Sequence, residues 1–373
     1  MRVVLLGGYG NFGALIAREL ARDADIELLI AGRRADAAQR LATSLGSKYG
    51  AGVAAIGLDI DMPDLQSRFI ALAPDLVIHT CGPFQGRDYG VATAALAAGA
   101  HYIDLADARD FVVGIAALDA QARESGRLVV SGASTVPGLS AAVIDRYRSE
   151  FSVLSQIDIG ISPGNRTPRG TATVAAILGY VGRPLRVWLG DKWRVGFGWQ
   201  DLHRQRYPHP VGKRWLSLCD VPDIGLFPAR YPGVRNLRIG AGLELGILHL
   251  GLWLLSWPVR WRLLPRLDRW TAPLKRISEW FLARGSDVGA MHVGLSGTAP
   301  DGKPLHVTWT LVAGSGHGPQ IPATAAVVLA RKLARGQLTK NGATPCLDLF
   351  DLDEYLVALS DYDIQTRTQR VRG

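Results

Sequence analysis

Val3-Val4-Leu5-Leu6-Gly7-Gly8-Tyr9-Gly10-Asn11-Phe12-Gly13, followed by Leu15, Ile16 and Leu20 at helical spacing, is the stretch that decides the fold. A short aliphatic run reads as a strand and the apolar spacing after the glycines reads as a helix. Between them lies Gly8-x-Gly10-x-x-Gly13. In such a loop Gly8 permits a tight turn, Gly10 lets backbone amides approach a pyrophosphate and Gly13 lets the helix sit close to the strand. The phosphates then face a helix N-terminus, where unpaired N–H groups and the dipole favour negative charge. A glycine loop alone is weak evidence. A second strand, Glu27 to Ala31, follows at the distance a βαβ unit requires and gives the loop its context.

Cofactor choice is read at the end of that second strand, where a carboxylate would hydrogen-bond a ribose 2′-hydroxyl. The chain has Ala31-Gly32-Arg33-Arg34 there. Two guanidinium groups in place of a carboxylate suit a 2′-phosphate, so NADP(H) is the expected cofactor, with Arg33 and then Arg34 as its clamp. The alternation continues through strands at Val53 to Leu58, Leu76 to Thr80, His101 to Leu105 and Arg127 to Ser131. Helices are expected at Pro63 to Leu72, Tyr89 to Ala98 and Val113 to Glu124. Asp59 ends the third strand on the adenine side, and the turn Cys81-Gly82-Pro83-Phe84 ends the fourth at the cofactor cleft. The cofactor-binding set is therefore Gly8, Tyr9, Gly10, Asn11, Phe12, Gly13, Arg33, Arg34, Asp59, Cys81, Gly82, Pro83 and Phe84. Tyr102, Asp104 and Asp107, at the end of the fifth strand, are the acid–base candidates, each weighed against a capping or turn role.

The glycine loop, the Cys81-Gly82-Pro83-Phe84 turn and the strand His101-Tyr102-Ile103-Asp104-Leu105 together resemble the saccharopine dehydrogenase-like oxidoreductases. Ser134-Thr135-Val136-Pro137-Gly138 resembles that family's loop into its second domain, and Gly170-Thr171-Ala172 resembles a helix start more loosely. The resemblance implies an NADP-binding oxidoreductase with a substrate domain inserted into a split nucleotide domain. Where the family often continues Tyr-x-Asp with Gly-Glu, this chain has Ala106-Asp107-Ala108-Arg109, so the resemblance does not by itself carry saccharopine chemistry over to this chain.

The expected fold is thus α/β: a Rossmann-type doubly wound parallel sheet with an inserted α+β substrate domain containing an antiparallel sheet. Its parts are 1–135 for the nucleotide domain, 136–316 for the substrate domain and 317–373 for C-terminal helices returning to the first. The insert's sheet is read from a strand at Ser155 to Ser162 and a hairpin, Val288 to Thr298 with Leu305 to Ala313, around Pro300-Asp301-Gly302-Lys303.

Charge distinguishes the halves. Of the net +9, Arg183 to Arg284 holds 18 Lys/Arg against 7 Asp/Glu, with nine of the ten tryptophans, so the basic aromatic character belongs to the insert. Within it the apolar segment 239–264 begins with nineteen residues, Ile239 to Trp257, free of Lys and Arg but carrying Glu244 and His249. Length alone reaches a transmembrane threshold, whereas a central carboxylate would cost about 2.5 to 3.5 kcal/mol. Trp257-Pro258-Val259-Arg260-Trp261-Arg262-Leu263-Leu264-Pro265-Arg266, then Trp270, Lys275, Arg276 and Trp280, suits a headgroup interface. Peripheral membrane contact through 239–280, a buried helix and a homodimer contact all stay open. Nucleic acid is excluded, because the tryptophans sit in aliphatic runs rather than on a stacking strand.

No HExxH, Cys/His cluster or nucleophile elbow occurs, so a metal site or hydrolase is not expected. Cys81, Cys219 and Cys346 are odd in number and unpaired in spacing, as in a reducing compartment. Four apolar residues before Gly7 are too few for a signal-peptide core. A cytoplasmic location is expected, with membrane association open. The expected activity is hydride transfer between NADP(H) and a C=C, C=N or C=O bond of a small-molecule substrate that is hydrophobic or lipid-like. A saccharopine-like reductase of polar imines and a non-catalytic NADP(H)-binding scaffold at a membrane are the alternatives.

Overall fold

The computed structural model describes residues 1–50 and 52–373. Two compact units emerge: Met1–Leu139 with Pro319–Ala358, and Ser140–Gly318 with Leu359–Gly373.

The first unit is built on six strands that follow the aliphatic runs: β1 (Arg2–Leu6), β2 (Glu27–Gly32), β3 (Val53–Gly57), β4 (Leu76–His79), β5 (His101–Asp104) and β6 (Leu128–Ser131). With β15 (Gly342–Pro345) they form one parallel sheet in the order β15-β6-β5-β4-β1-β2-β3. Strand order reverses between β1 and β4, where a doubly wound sheet opens its binding crevice. The strands are short and nearly all-apolar because helices cover both faces; all of Leu76–His79 is buried. The helix expected at Val113 to Glu124 is broken into Arg109–Gly114, a 3-10 turn Ile115–Leu118 and Asp119–Glu124. The helix Gln320–Ala334 is clamped to the helix Gly13–Leu20 by Arg331, whose Nε donates to Asp23 at 2.8 Å.

The second unit carries the sheet β10-β11-β12-β7-β13-β14-β16. Its strands are β7 (Val153–Ser162), β10 (His203–Arg206), β11 (Lys213–Leu218), β12 (Asn236–Ala241), β13 (Gly289–Thr298), β14 (Pro304–Ala313) and β16 (Ile364–Arg372), with a separate hairpin β8 (Pro184–Trp188) and β9 (Trp193–Phe197). The β13–β14 hairpin turns at Gly302, whose φ of 82° only glycine adopts freely. The sheet is mixed rather than antiparallel, because β12 pairs parallel with β7. Ile157, Ile159, Ile239, Met291, Val293, Val307, Trp309 and Leu311 supply its buried face.

Two expectations are corrected. Residues 317–373 do not all return to the first unit, because β16 pairs antiparallel with β14. The run from Ile239 to Trp257 is not one helix. Its start is the end of β12, and the helix spans only Gly246–Arg260. At the break the chain lies against a neighbouring strand: a Cβ on Gly242 would meet Trp215 O at 2.2 Å. Glu244, which was costly to a span, accepts from Asn165 N at 2.6 Å and from Ser286 N and Oγ at 2.8 and 2.6 Å, and pairs with Arg214 at 3.2 Å. His249 accepts from Leu243 N at Nδ1 (3.2 Å), so Nε2 carries the proton that Ser217 Oγ receives at 2.9 Å; burial pushes the ring down to about 4 and keeps it neutral. Among the described residues no helix is long and apolar enough to cross a membrane.

Candidate functional site

The glycine loop sits between β1 and the helix Gly13–Leu20, beside the β1–β4 switch. Gly7 N and Gly8 N both donate to Ala31 O, at 2.8 and 3.3 Å, which ties the loop to the end of β2. The left-handed residue is Gly7, at φ 72°, and not Gly8 as the motif suggests. A Cβ there would lie 2.7 Å from Thr80 Oγ1 and 2.9 Å from Cys81 Sγ. Gly8 has a different reason to lack a side chain: Ile30 Cγ2 and Leu5 O stand 2.9 and 3.0 Å from its Cβ position. At Gly13 the same position is 2.2 Å from Gly7 O and 2.8 Å from Gly8 Cα, so the helix start lies directly on the loop backbone.

That packing leaves donors in the open. The N–H groups of Asn11, Phe12 and Gly13 donate to nothing among the described residues, and Phe12 precedes the helix without a side-chain cap. Gly10 and Asn11 are exposed. Three adjacent N–H groups without partners at a helix start make a cradle for a diphosphate.

Tyr9 leans over the end of β2 rather than into solvent. Its ring would collide with any Cβ on Gly32, at 2.5 Å, and its hydroxyl accepts from Arg34 N at 2.9 Å. The Arg34 guanidinium lies over the same ring, 5.1 Å from its centroid. Arg33 and Arg34 are both exposed at the strand's carboxyl end. Arg33 is close enough to Cys81 and Asp61 to act on the charge of both. Asp59 is half-buried and accepts from Asp61 N at 3.2 Å. Asp61 in turn pairs with Arg87 at 2.6 Å, which holds its carboxyl below the usual range. Gly7, Thr80 and the Asp61–Arg87 pair were not in the expected set. The doubled glycine is the signal that could have pointed to Gly7; nothing local announces the pair, whose members are 26 residues apart.

The turn after β4 is mixed. Gly82 and Pro83 are exposed, whereas Phe84 is buried, edge-on to His79 with centroids 4.9 Å apart and 5.3 Å from the Phe111 ring. Its side chain belongs to the core, which corrects its expected place against the cofactor. Burial pushes the Cys81 thiol up to about 11, with Arg33 opposing, so it stays protonated at neutral pH.

The acid–base candidates divide in the same way. Tyr102 and Asp104 are wholly buried. Tyr102 Oη is 2.9 Å from His79 Nδ1, and burial holds His79 down to about 3, hence neutral. Asp104 Oδ1 accepts from Ala106 N at 2.9 Å, Ser131 Oγ at 2.9 Å and Gly132 N at 2.8 Å, stitching β5 to β6. Burial nonetheless lifts its carboxyl to about 6, against those donors. Neither group faces solvent, so the direct proton-donor role read from the sequence is corrected to a structural one. Asp107 alone of the three has exposed surface, and it accepts from Gln85 Nε2 at 3.2 Å. Among the described residues no group of His, Cys, Asp and Glu side chains is arranged to hold a metal ion.

Residues 3–130 match the family model of the saccharopine dehydrogenase NADP binding domain. The family resemblance is supported. Over the whole chain the fold is that of saccharopine dehydrogenase: the apo, L-Glu-forming enzyme from Saccharomyces cerevisiae superposes with a TM-score of 0.70 at 15% identity, covering 99% of both chains. The homospermidine synthase of Legionella pneumophila, solved in complex with NAD, gives 0.62 at 11% identity, covering 99% of this chain and 91% of that one. At these identities the saccharopine dehydrogenase-like likeness of the solved structures is one of fold. No curated protein sequence matches the chain.

Proposed function

We propose that this protein is an NADP(H)-dependent oxidoreductase that transfers hydride to or from a C=C, C=N or C=O bond of an apolar, lipid-like substrate. The observation that carries the reading is the phosphate cradle. Asn11, Phe12 and Gly13 present N–H groups without partners at the switch point of the sheet, and two exposed arginines stand at the end of the adjoining strand. The matched domain family is named for NADP, which agrees with Arg33 and Arg34 in place of a carboxylate.

Each residue then has a task. Asn11, Phe12 and Gly13 receive the pyrophosphate, Arg33 and Arg34 clamp the 2′-phosphate, and Tyr9 holds Arg34 in place by stacking and by its hydroxyl. Asp59 and the backbone of Cys81, Gly82 and Pro83 border the cofactor. When bound, the nicotinamide supplies or accepts the hydride. Asp107, half-buried just beyond the end of β5, is the side chain retained for proton transfer, because Tyr102 and Asp104 are sealed in the core. The lipid-like class is supported by the apolar outer surface of the second unit's helices, where Ile247 is 66% and Leu254 60% exposed.

NADPH consumption by the purified protein with long-chain enoyl, long-chain carbonyl and polar imine compounds tests the proposal. Turnover of a long-chain compound is expected. Turnover confined to polar imines would refute the substrate class, and NADPH binding without turnover of any compound would refute the enzyme reading in favour of a scaffold.

A further inference from the structure

In the second unit the helices Thr171–Tyr180, Gly246–Arg260 and Thr271–Glu279 pack around a small core of Leu178, Val181, Trp199, Val259 and Leu267. What they leave outside is unusual. Trp270, Leu274, Ile277 and Trp280 fall at i, i+4, i+7 and i+10, the stripe an amphipathic helix would bury. Only Leu274 packs against that core; Trp270, Ile277 and Trp280 are 54%, 42% and 73% exposed. The loop before this helix adds Trp261 at 61% and Leu263 at 72%. Single exposed apolar residues need no explanation, but five large ones within twenty positions of the chain do.

The charges beside the stripe are equally unspent. Trp261 to Arg284 contains six Lys/Arg and two Asp/Glu. The two acids are already paired, Asp268 with Arg266 at 2.7 Å and Glu279 with Lys275 at 2.6 Å. The guanidinium groups of Arg262, Arg269 and Arg276 make no ion pair or hydrogen bond among the described residues, and all three residues are exposed. The patch is therefore apolar, tryptophan-rich and carries unneutralised positive charge.

We propose that this surface, centred on Trp261, Leu263, Trp270, Ile277 and Trp280 and ringed by Arg262, Arg269 and Arg276, docks the protein on an anionic lipid bilayer. Charge complementarity selects that partner. A second copy of the chain in a two-fold dimer would set the same basic patch against itself, where like charges oppose association. Nucleic acid would satisfy the arginines but not Leu263 and Ile277, which cannot stack on bases. An anionic bilayer satisfies both: indoles sit at headgroup level, aliphatic side chains reach the acyl boundary and arginines stay with the lipid phosphates. No helix need cross the membrane, in keeping with the lengths found. The inference does not depend on the cofactor assignment, whose residues lie in the other unit.

The test is co-sedimentation of the full chain with phosphatidylcholine vesicles containing phosphatidylserine, against phosphatidylcholine alone, at low and high salt. The chain is expected to bind the anionic vesicles, with binding weakened by salt. At about 1 kcal/mol per basic residue near the surface, Arg262→Gln, Arg269→Gln and Arg276→Gln together should weaken partitioning roughly 100-fold. Trp270→Ser with Trp280→Ser should weaken it at every salt concentration. All five positions are exposed, so unchanged thermal melting is expected and serves as the folding control. Absence of binding at low salt, or binding insensitive to both salt and the arginines, would overturn the proposal. So would a dimer that the tryptophan substitutions dissociate, which would make this face a contact between copies.

Discussion

Gly13→Ala is the substitution for which the geometry gives the sharpest expectation. At the start of a helix alanine is ordinarily favoured over glycine, by up to ~1 kcal/mol. Here the added methyl would stand 2.2 Å from Gly7 O, 2.8 Å from Gly8 Cα and 2.9 Å from Gly7 C. Every atom it meets is backbone, so no rotamer can relieve the contact. Restoring ordinary van der Waals separation needs the helix and the loop to part by roughly 1 Å. Overpacking of this kind costs about 1 to 3 kcal/mol, which outweighs the propensity gain. The displacement falls on the Asn11, Phe12 and Gly13 amides, so cofactor binding should suffer beyond stability. Gly46→Ala is the control: it lies inside the helix Ala35–Tyr49 with nothing within 4 Å of its Cβ position, and should stabilise by up to ~1 kcal/mol. Thermal unfolding and NADPH titration of both variants separate the effects. Gly13→Ala with wild-type melting and wild-type NADPH affinity would refute the close-packing argument.

Arg33→Asp should weaken NADPH binding by roughly 1.5 to 3 kcal/mol, the range for a hydrogen bond to a charged group, while leaving NADH binding nearly unchanged; equal loss for both dinucleotides in a competition titration would contradict the 2′-phosphate assignment. Asp104→Asn tests the buried carboxyl. Because burial raises it from the ordinary value to about 6, the folded state binds this proton more tightly than the unfolded chain. Its contribution to wild-type stability therefore falls as pH rises from about 4 to about 6, by roughly 3 kcal/mol at most. Asparagine keeps an acceptor for Ala106, Ser131 and Gly132, so in urea unfolding the variant should gain on the wild type across that window; a difference constant with pH would show that the carboxyl titrates normally.

The βαβ opening was legible because its signals are local: four aliphatic residues, spaced glycines and a 3.6-residue apolar repeat all lie within twenty positions. Local signals failed at the sheet edges. β15 is Gly-Ala-Thr-Pro, without apolar alternation and ending in a proline that an edge strand tolerates. β16 is Gln-, Thr- and Arg-rich, the composition of a guarded edge, and reads as a polar tail until it pairs with β14. The run from Ile239 to Trp257 misled because continuous apolarity has no period to separate strand from helix. Its break depends on Trp215, Asn165 and Ser286, which are distant in sequence. Tyr102 and Asp104 fell short as acid–base residues for a related reason: their burial is set by His79 and Ser131 on neighbouring strands, and no reading along one strand discloses that.

The proposed NADP(H) site joins the Gly7–Gly13 loop to the Arg33–Arg34 pair. Calorimetric titration of the purified chain with NADPH and with NADH tests it most directly. Saturable one-to-one binding of NADPH is expected, at least about tenfold tighter than that of NADH, in line with one charge-assisted contact to the 2′-phosphate. Absence of binding by either dinucleotide would contradict it.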